Sequence, residues 1–265
     1  MNPAGLFARP ELFRPELALL SLELARLSGV VAVSPIPWTN APKRVRVGLI
    51  IFLLAVVHGQ GDSKVSEITS AVWAASHIST ELIVGVSIGM VVRLSIAAAE
   101  IAGSAIALPI GFAAAQAFDP TIGSTDTVLT RLFRNLALLL AVITGLHRVM
   151  LGTLLSSFHV LPVGTATHLE ATFPLFLELS AHVLRVGVQL ALPLLAILLM
   201  ANVALAFVAR AAPSMQIFNV GFGVLLATGA AVLLISLPDL SHELALGFDR
   251  NAHYFERLLL ELGAR

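Results

Sequence analysis

Long apolar runs, separated by short polar breaks, make up most of the chain. Residues 186–209 hold 24 positions without a charge, residues 211–238 hold 28, and residues 101–118 hold 18. Shorter or interrupted apolar segments lie at 12–33, 45–57, 68–92 and 132–161. A bilayer core about 30 Å thick is crossed by roughly 20 apolar residues in a helix, so the two longest runs suffice to span it. Unbroken runs of this length favour helix, because a membrane β-barrel alternates apolar and polar residues over short segments. The pattern predicts an all-α integral membrane protein of roughly six to seven hydrophobic helices.

The breaks carry turn chemistry. Pro35, Pro37 and Pro42 interrupt residues 34–44, where Trp38 and the cations Lys43, Arg44 and Arg46 suit an interfacial turn. Further turns are expected at 59–64 and 119–126, and a polar connector at 161–172. Ala212-Pro213-Ser214 separates the two longest runs, and Pro238-Asp239 is expected to end the last. Residues 240–265 interleave Glu243, Asp249, Arg250, Glu256, Arg257 and Glu261 with leucines. They read as an amphipathic tail, at the membrane surface or packed against a partner, within one domain over 1–265. At the other end, Arg9 and Arg14 precede an apolar stretch, as in a secretory signal. Glu11, Glu16, Glu23 and Arg26 interrupt that signal, so a first hairpin helix with a polar stripe is expected instead.

Composition sharpens the membrane reading. The 265 residues are 57% hydrophobic and 12% charged, with a mean hydropathy of +0.92 and no formal net charge. A soluble domain carries about 25% charged residues, and one this apolar would associate nonspecifically. A balanced charge leaves no cationic excess for nucleic acid. The absence of cysteine removes disulfides, thiolate metal sites and a cysteine nucleophile. The eight histidines stand singly, without the spacing of a helical metal motif. No glycine-rich phosphate loop with a following lysine occurs, so ATP hydrolysis is not supported. No catalytic, cofactor-binding or metal residue is assigned, and a non-enzymatic role is expected. Arginines are scattered over several turns and do not set an orientation by the positive-inside rule.

Several charges fall within or beside apolar segments, among them Glu81, Arg93, Glu100, Arg131, Arg134 and Arg210. At a lipid-facing position near the bilayer centre each would cost roughly 2.5–3.5 kcal/mol. Two arrangements avoid that cost: structural ion pairs and helix-end charges, or segments lining a polar lumen or lying outside the hydrocarbon. Arg93 and Glu100 are seven residues apart, too far for direct pairing, but fit one polar stripe facing another helix. Gly85-Val86-Ser87-Ile88-Gly89 spells the hydrolase G-x-S-x-G pattern, which works only on a strand-to-helix turn. In an apolar helix the same glycines favour close packing of two backbones. A polytopic transporter with a polar site among Glu81, Arg93 and Glu100 is the alternative reading, although no internal repeat is evident.

Three blocks carry a family resemblance. The first runs from Gly103 through Pro109-Ile110-Gly111-Phe112 to Phe118-Asp119-Pro120. The second runs from Leu129-Thr130-Arg131 to Ser157-Phe158-His159-Val160-Leu161-Pro162-Val163-Gly164. The third includes Arg210-Ala211-Ala212-Pro213-Ser214-Met215-Gln216-Ile217-Phe218-Asn219-Val220-Gly221-Phe222. In order and spacing these resemble the FliR/SctT family of type III export-gate proteins, over roughly residues 45–238, with the flagellar branch favoured. The family usually has Gln-Met-Gly at Pro109-Ile110-Gly111, often Asn-Gly near Thr144-Gly145, and Gly-Phe-Pro at Gly221-Phe222-Gly223. The resemblance implies tilted helical hairpins within a larger hetero-oligomeric channel of the bacterial inner membrane, at a flagellar basal body or injectisome. It implies FliP-like, FliQ-like, FlhB-like and FlhA-like partners, contact with lipid, and unfolded export substrates. It also implies a plug near 111–128, with Gly111, Phe112, Phe118, Asp119, Pro120 and Gly123. Independently, these helix-breaking residues fit a protein-lined or water-lined position, and the phenylalanines a dewetting constriction.

Overall fold

The computed structural model describes residues 15–36, 41–58, 71–110, 127–165, 169–211 and 217–263. Among the described residues there are seven α-helices and no strand. They are α1 (Pro15–Val33), α2 (Lys43–His58), α3 (Ala71–Ile110), α4 (Val128–Ile143), α5 (Leu146–Val160), α6 (Thr172–Ala211) and α7 (Ile217–Gly263). A 3-10 turn, Leu169–Ala171, leads into α6. The all-α architecture is the one the apolar runs predict.

Where the helices begin and end differs from the hydropathy pattern. α3 and α6 each run 40 residues and α7 runs 47. At 1.5 Å per residue these measure about 60–70 Å, twice the roughly 30 Å hydrocarbon core. α3 joins two segments that hydropathy separates, keeping Pro109 in its last turn. α7 passes through Pro238, where a break was expected. A proline inside a helix removes one hydrogen bond and kinks it, yet packing of the turns that follow carries the helix through. Leu240, Leu244 and Phe248 supply that packing, all buried at helical spacing. Conversely, the run 132–161 is cut at Thr144-Gly145, because Gly145 takes φ +79°, a left-handed backbone suited to glycine. Six to seven hydrophobic helices are expected; among the described residues, three are long and apolar enough to cross a membrane: Val72–Ile110, Thr172–Ala211 and Gly223–Gly263. Val128–Ile143 and Leu146–Val160 make a fourth if counted as one broken span.

The expected domain over 1–265 contains two compact units. One comprises Met1–Arg93, Gly145–Leu179 and Arg250–Arg265, and the other Leu94–Thr144 and Ser180–Asp249. In the first, Leu27, Val30 and Val31 of α1 are buried, as are Val84, Ile88 and Val92 of α3. α5 adds Leu146, Met150 and Leu154 at i,i+4 spacing. The end of α7 turns Tyr254, Phe255, Leu258 and Leu262 inward, while Arg257 reaches Glu178 of α6 at 2.9 Å. The apolar face expected to lie on a membrane surface or a partner is therefore covered here by the chain itself. In the second unit, α3 contributes Ile96, Ala99, Ala102 and Ile106, and α6 contributes Leu190, Leu194 and Leu198. α4 presents Leu129, Phe133, Ala137 and Ala141 on one face. Its first turn is capped by Thr127, whose side chain accepts from the Thr130 N–H at 3.1 Å.

Candidate functional site: a buried polar node

The richest polar arrangement among the described residues lies in the first unit, where α1 passes α3. Arg26 and Glu81 are each completely buried, one on each helix. Arg26 Nε donates to Glu81 Oε2 at 2.6 Å. Its Nη1 donates to the Ser157 carbonyl at 2.9 Å, the Leu161 carbonyl at 3.0 Å and Ser157 Oγ at 3.3 Å. The other carboxylate oxygen, Glu81 Oε1, accepts the Gly164 N–H at 2.8 Å. The guanidinium carbon also stands 4.6 Å from the Phe158 ring centroid, within cation–π range. One ion pair thus ties α1 to α3, to the end of α5 and to the turn after it. Gly164 makes the turn possible by taking φ +83°.

This close approach depends on small residues. A Cβ added at Gly29 would lie 2.5 Å from the Leu82 carbonyl oxygen, and one at Gly89 3.0 Å from that of Val30. At Gly85 it would overlap the Arg26 carbonyl itself. The pattern 85–89 therefore serves as a backbone-to-backbone crossing, and Ser87 is a buried helical residue with no elbow around it. One turn before Arg26, Glu23 meets His58 Nδ1 at 3.2 Å, closing the end of α2 onto α1. Burial raises the Glu23 carboxyl above its ordinary pKa, opposed by the His58 hydrogen bond and charge and by Arg26.

In the second unit, Glu100 of α3 accepts from Arg134 Nε of α4 at 2.6 Å, both side chains being partly buried. Of the expected polar stripe of Arg93 with Glu100 facing another helix, Glu100 meets Arg134 of α4. Arg93 is exposed, because Val91, Val92, Ser95 and Ile96 occupy the buried side of α3 there. Arg131, expected as a buried contact, is likewise exposed, lying off the face formed by Leu129, Thr130 and Phe133. Arg210 is exposed in the last turn of α6, where a cation complements the helix dipole. Of the expected plug, Gly111, Phe112, Phe118, Asp119, Pro120 and Gly123 lie outside the described residues. No cluster of three or more metal-ligating side chains occurs among the described residues. What the node does chemically is hold: most of its polar groups are spent on one another, while Arg26 Nη2 is buried with no hydrogen-bond partner. In the sequence Arg26 reads as an interruption of the first helix; the signal for its role is one cation in α1 and one anion, Glu81, in the apolar run 68–92.

The comparison with known proteins is unambiguous about family. Residues 17–250 match the family described as bacterial export proteins, family 1. The chain is 31% identical over 219 residues to the flagellar biosynthetic protein FliR of Escherichia coli (strain K12), covering 81% of this chain and 82% of that one. It is 31% identical over 216 residues to FliR of Pectobacterium carotovorum subsp. carotovorum, covering 80% and 82%. Against FliR of Aquifex aeolicus (strain VF5) identity is 37% over 160 residues, covering 60% and 61%. The chain belongs to bacterial export protein family 1, the FliR/SctT family.

Proposed function

We propose that the chain forms part of the wall of a type III export channel through which unfolded substrates pass. In this reading it assembles with FliP-like and FliQ-like subunits in the bacterial inner membrane and touches FlhB-like and FlhA-like proteins. Family membership makes the chain a component of flagellar-type protein export. The observation that supports the wall role is the apolar surface of α6. Its exposed large apolar side chains run from Phe173 to Val208. That is about 53 Å of helix at 1.5 Å per residue, against a core of about 30 Å. Fitting it wholly within lipid would need a tilt near 55°, beyond the roughly 0–40° of spanning helices. Only 17% of the most apolar 18-residue stretch of α6 is buried in the chain, and 11% of that in α7, against 61% in α3. Neighbouring protein is the covering that accounts for the excess.

The plug role of 111–128 stands on the same reading. In this reading the helix-disfavouring Gly111, Pro120 and Gly123 suit a protein-lined or water-lined segment, and Phe112 and Phe118 supply apolar side chains for a constriction that excludes water. Deleting residues 112–123 is expected to raise ion conductance of the assembled complex in planar bilayers. Conductance equal to that of the intact complex overturns the plug assignment. The transporter alternative gains no support from the helix geometry. On α3, Arg93 is about 18 Å and Glu100 about 28 Å along the axis from Glu81. Glu81 is committed to Arg26 and Gly164, and Glu100 to Arg134.

A further inference from the structure

We infer that α2 is a docking surface for an anionic phospholipid, with Lys43 and Arg44 on the phosphate and the outer side of the helix along an acyl chain. The inference rests on the membrane location of the chain and not on its place in a channel wall. α2 as described has 16 residues, about 24 Å, against a hydrocarbon core of roughly 30 Å. It is anchored in the first unit by Leu53 and Val57, its two buried residues, and by the His58–Glu23 contact at its C-terminal end. Helical spacing puts Arg44, Val47, Gly48, Ile51 and Ala55 on the side opposite Leu53 and Val57. All five are exposed, as is Phe52 on the flank of that side.

The charges stand at the wrong end for the helix itself. Lys43 and Arg44 occupy the first turn, where the helix dipole is positive, and that turn contains no acidic residue. Both are exposed. An anion supplied from outside offsets the repulsion, and a lipid phosphate is an anion that a membrane surface supplies. From Arg44 to Ala55 the apolar side runs about 16 Å, close to the thickness of one leaflet's hydrocarbon. A cationic head followed by one leaflet of apolar surface is complementary to a single anionic glycerophospholipid.

Gly48 gives a direct probe, because a Cβ there meets nothing within 4 Å and the chain has no cysteine of its own. The full chain carrying Gly48→Cys, labelled with an environment-sensitive dye, is titrated in detergent with phosphatidylglycerol or phosphatidylcholine. Half-saturation is expected at about 25-fold lower phosphatidylglycerol, about fivefold for each of two cations. Lys43→Gln with Arg44→Gln should abolish the preference, whereas Lys43→Arg with Arg44→Lys should retain it. Equal response to both lipids, or a preference that survives the glutamine pair, overturns the inference. So does a dye that is shielded and insensitive to lipid once the partner subunits are co-purified, since a protein then covers this face.

Discussion

Replacing Arg26 with methionine is expected to destabilise the chain by about 3–5 kcal/mol, the usual cost of removing one partner of a buried ion pair. The side chain is completely buried, so its loss strands the Glu81 carboxylate without water or a counter-charge. It also leaves the Leu161 carbonyl without its donor and takes one of two from the Ser157 carbonyl, which keeps the Leu161 N–H. The same principle predicts that removing both charges is milder than removing one. Arg26→Met with Glu81→Leu should recover much of the loss, because two apolar side chains of similar size need no pairing. Recovery stops short of complete, since the Gly164 N–H loses its acceptor, at about 1–3 kcal/mol. Denaturant unfolding of the purified chain in detergent, followed by circular dichroism, measures all three variants. A single variant within about 1 kcal/mol of the parent would mean that water reaches the pair and that it does not pin the helices.

Gly85→Leu should cost about 3 kcal/mol or more, the upper range of overpacking. A rotamer change cannot relieve the overlap, because what an added Cβ meets is the backbone of Arg26. α1 and α3 would have to part, loosening Val30, Val84 and Ile88 and lengthening the Arg26–Glu81 contact. Gly152, on the exposed side of α5, is the matched control, since a Cβ there meets nothing within 4 Å. Gly152→Ala should stabilise by about 0.5–1 kcal/mol through helix propensity alone. The same unfolding assay reads both, and opposite signs are expected. A Gly85→Leu variant as stable as the parent would contradict the tight crossing.

These two effects show what sequence reading reaches and what it misses. That residues 186–209 and 217–238 lie in helices is legible from unbroken apolar length. That α7 continues through Pro238 is not, because local propensity argues for a stop there. Packing of Leu240 and Leu244 decides otherwise. The cut at Gly145 is the reverse case: hydropathy runs on, and one left-handed residue breaks the helix. The glycine pair 85–89 announced a close crossing, while the identity of the other helix depended on tertiary structure. Arg26 and Glu81 are 55 positions apart, so no spacing rule links them. Glu100 was legible as a buried contact in want of a partner. Arg93 on its own helix was the nearest cation in sequence, but the residue that meets it is Arg134 on α4.

The central claim is that other subunits cover the excess apolar surface of α6 and α7. It is tested most directly by purifying the tagged chain, with and without co-expressed partner subunits, and weighing the intact particle by native mass spectrometry. The account predicts a stable hetero-oligomer many times heavier than the 27.9 kDa chain when the partners are present, and, without them, a chain that stays dispersed only while detergent covers its apolar surface. A stable, monodisperse 27.9 kDa particle, unchanged when the partner subunits are supplied, would contradict it.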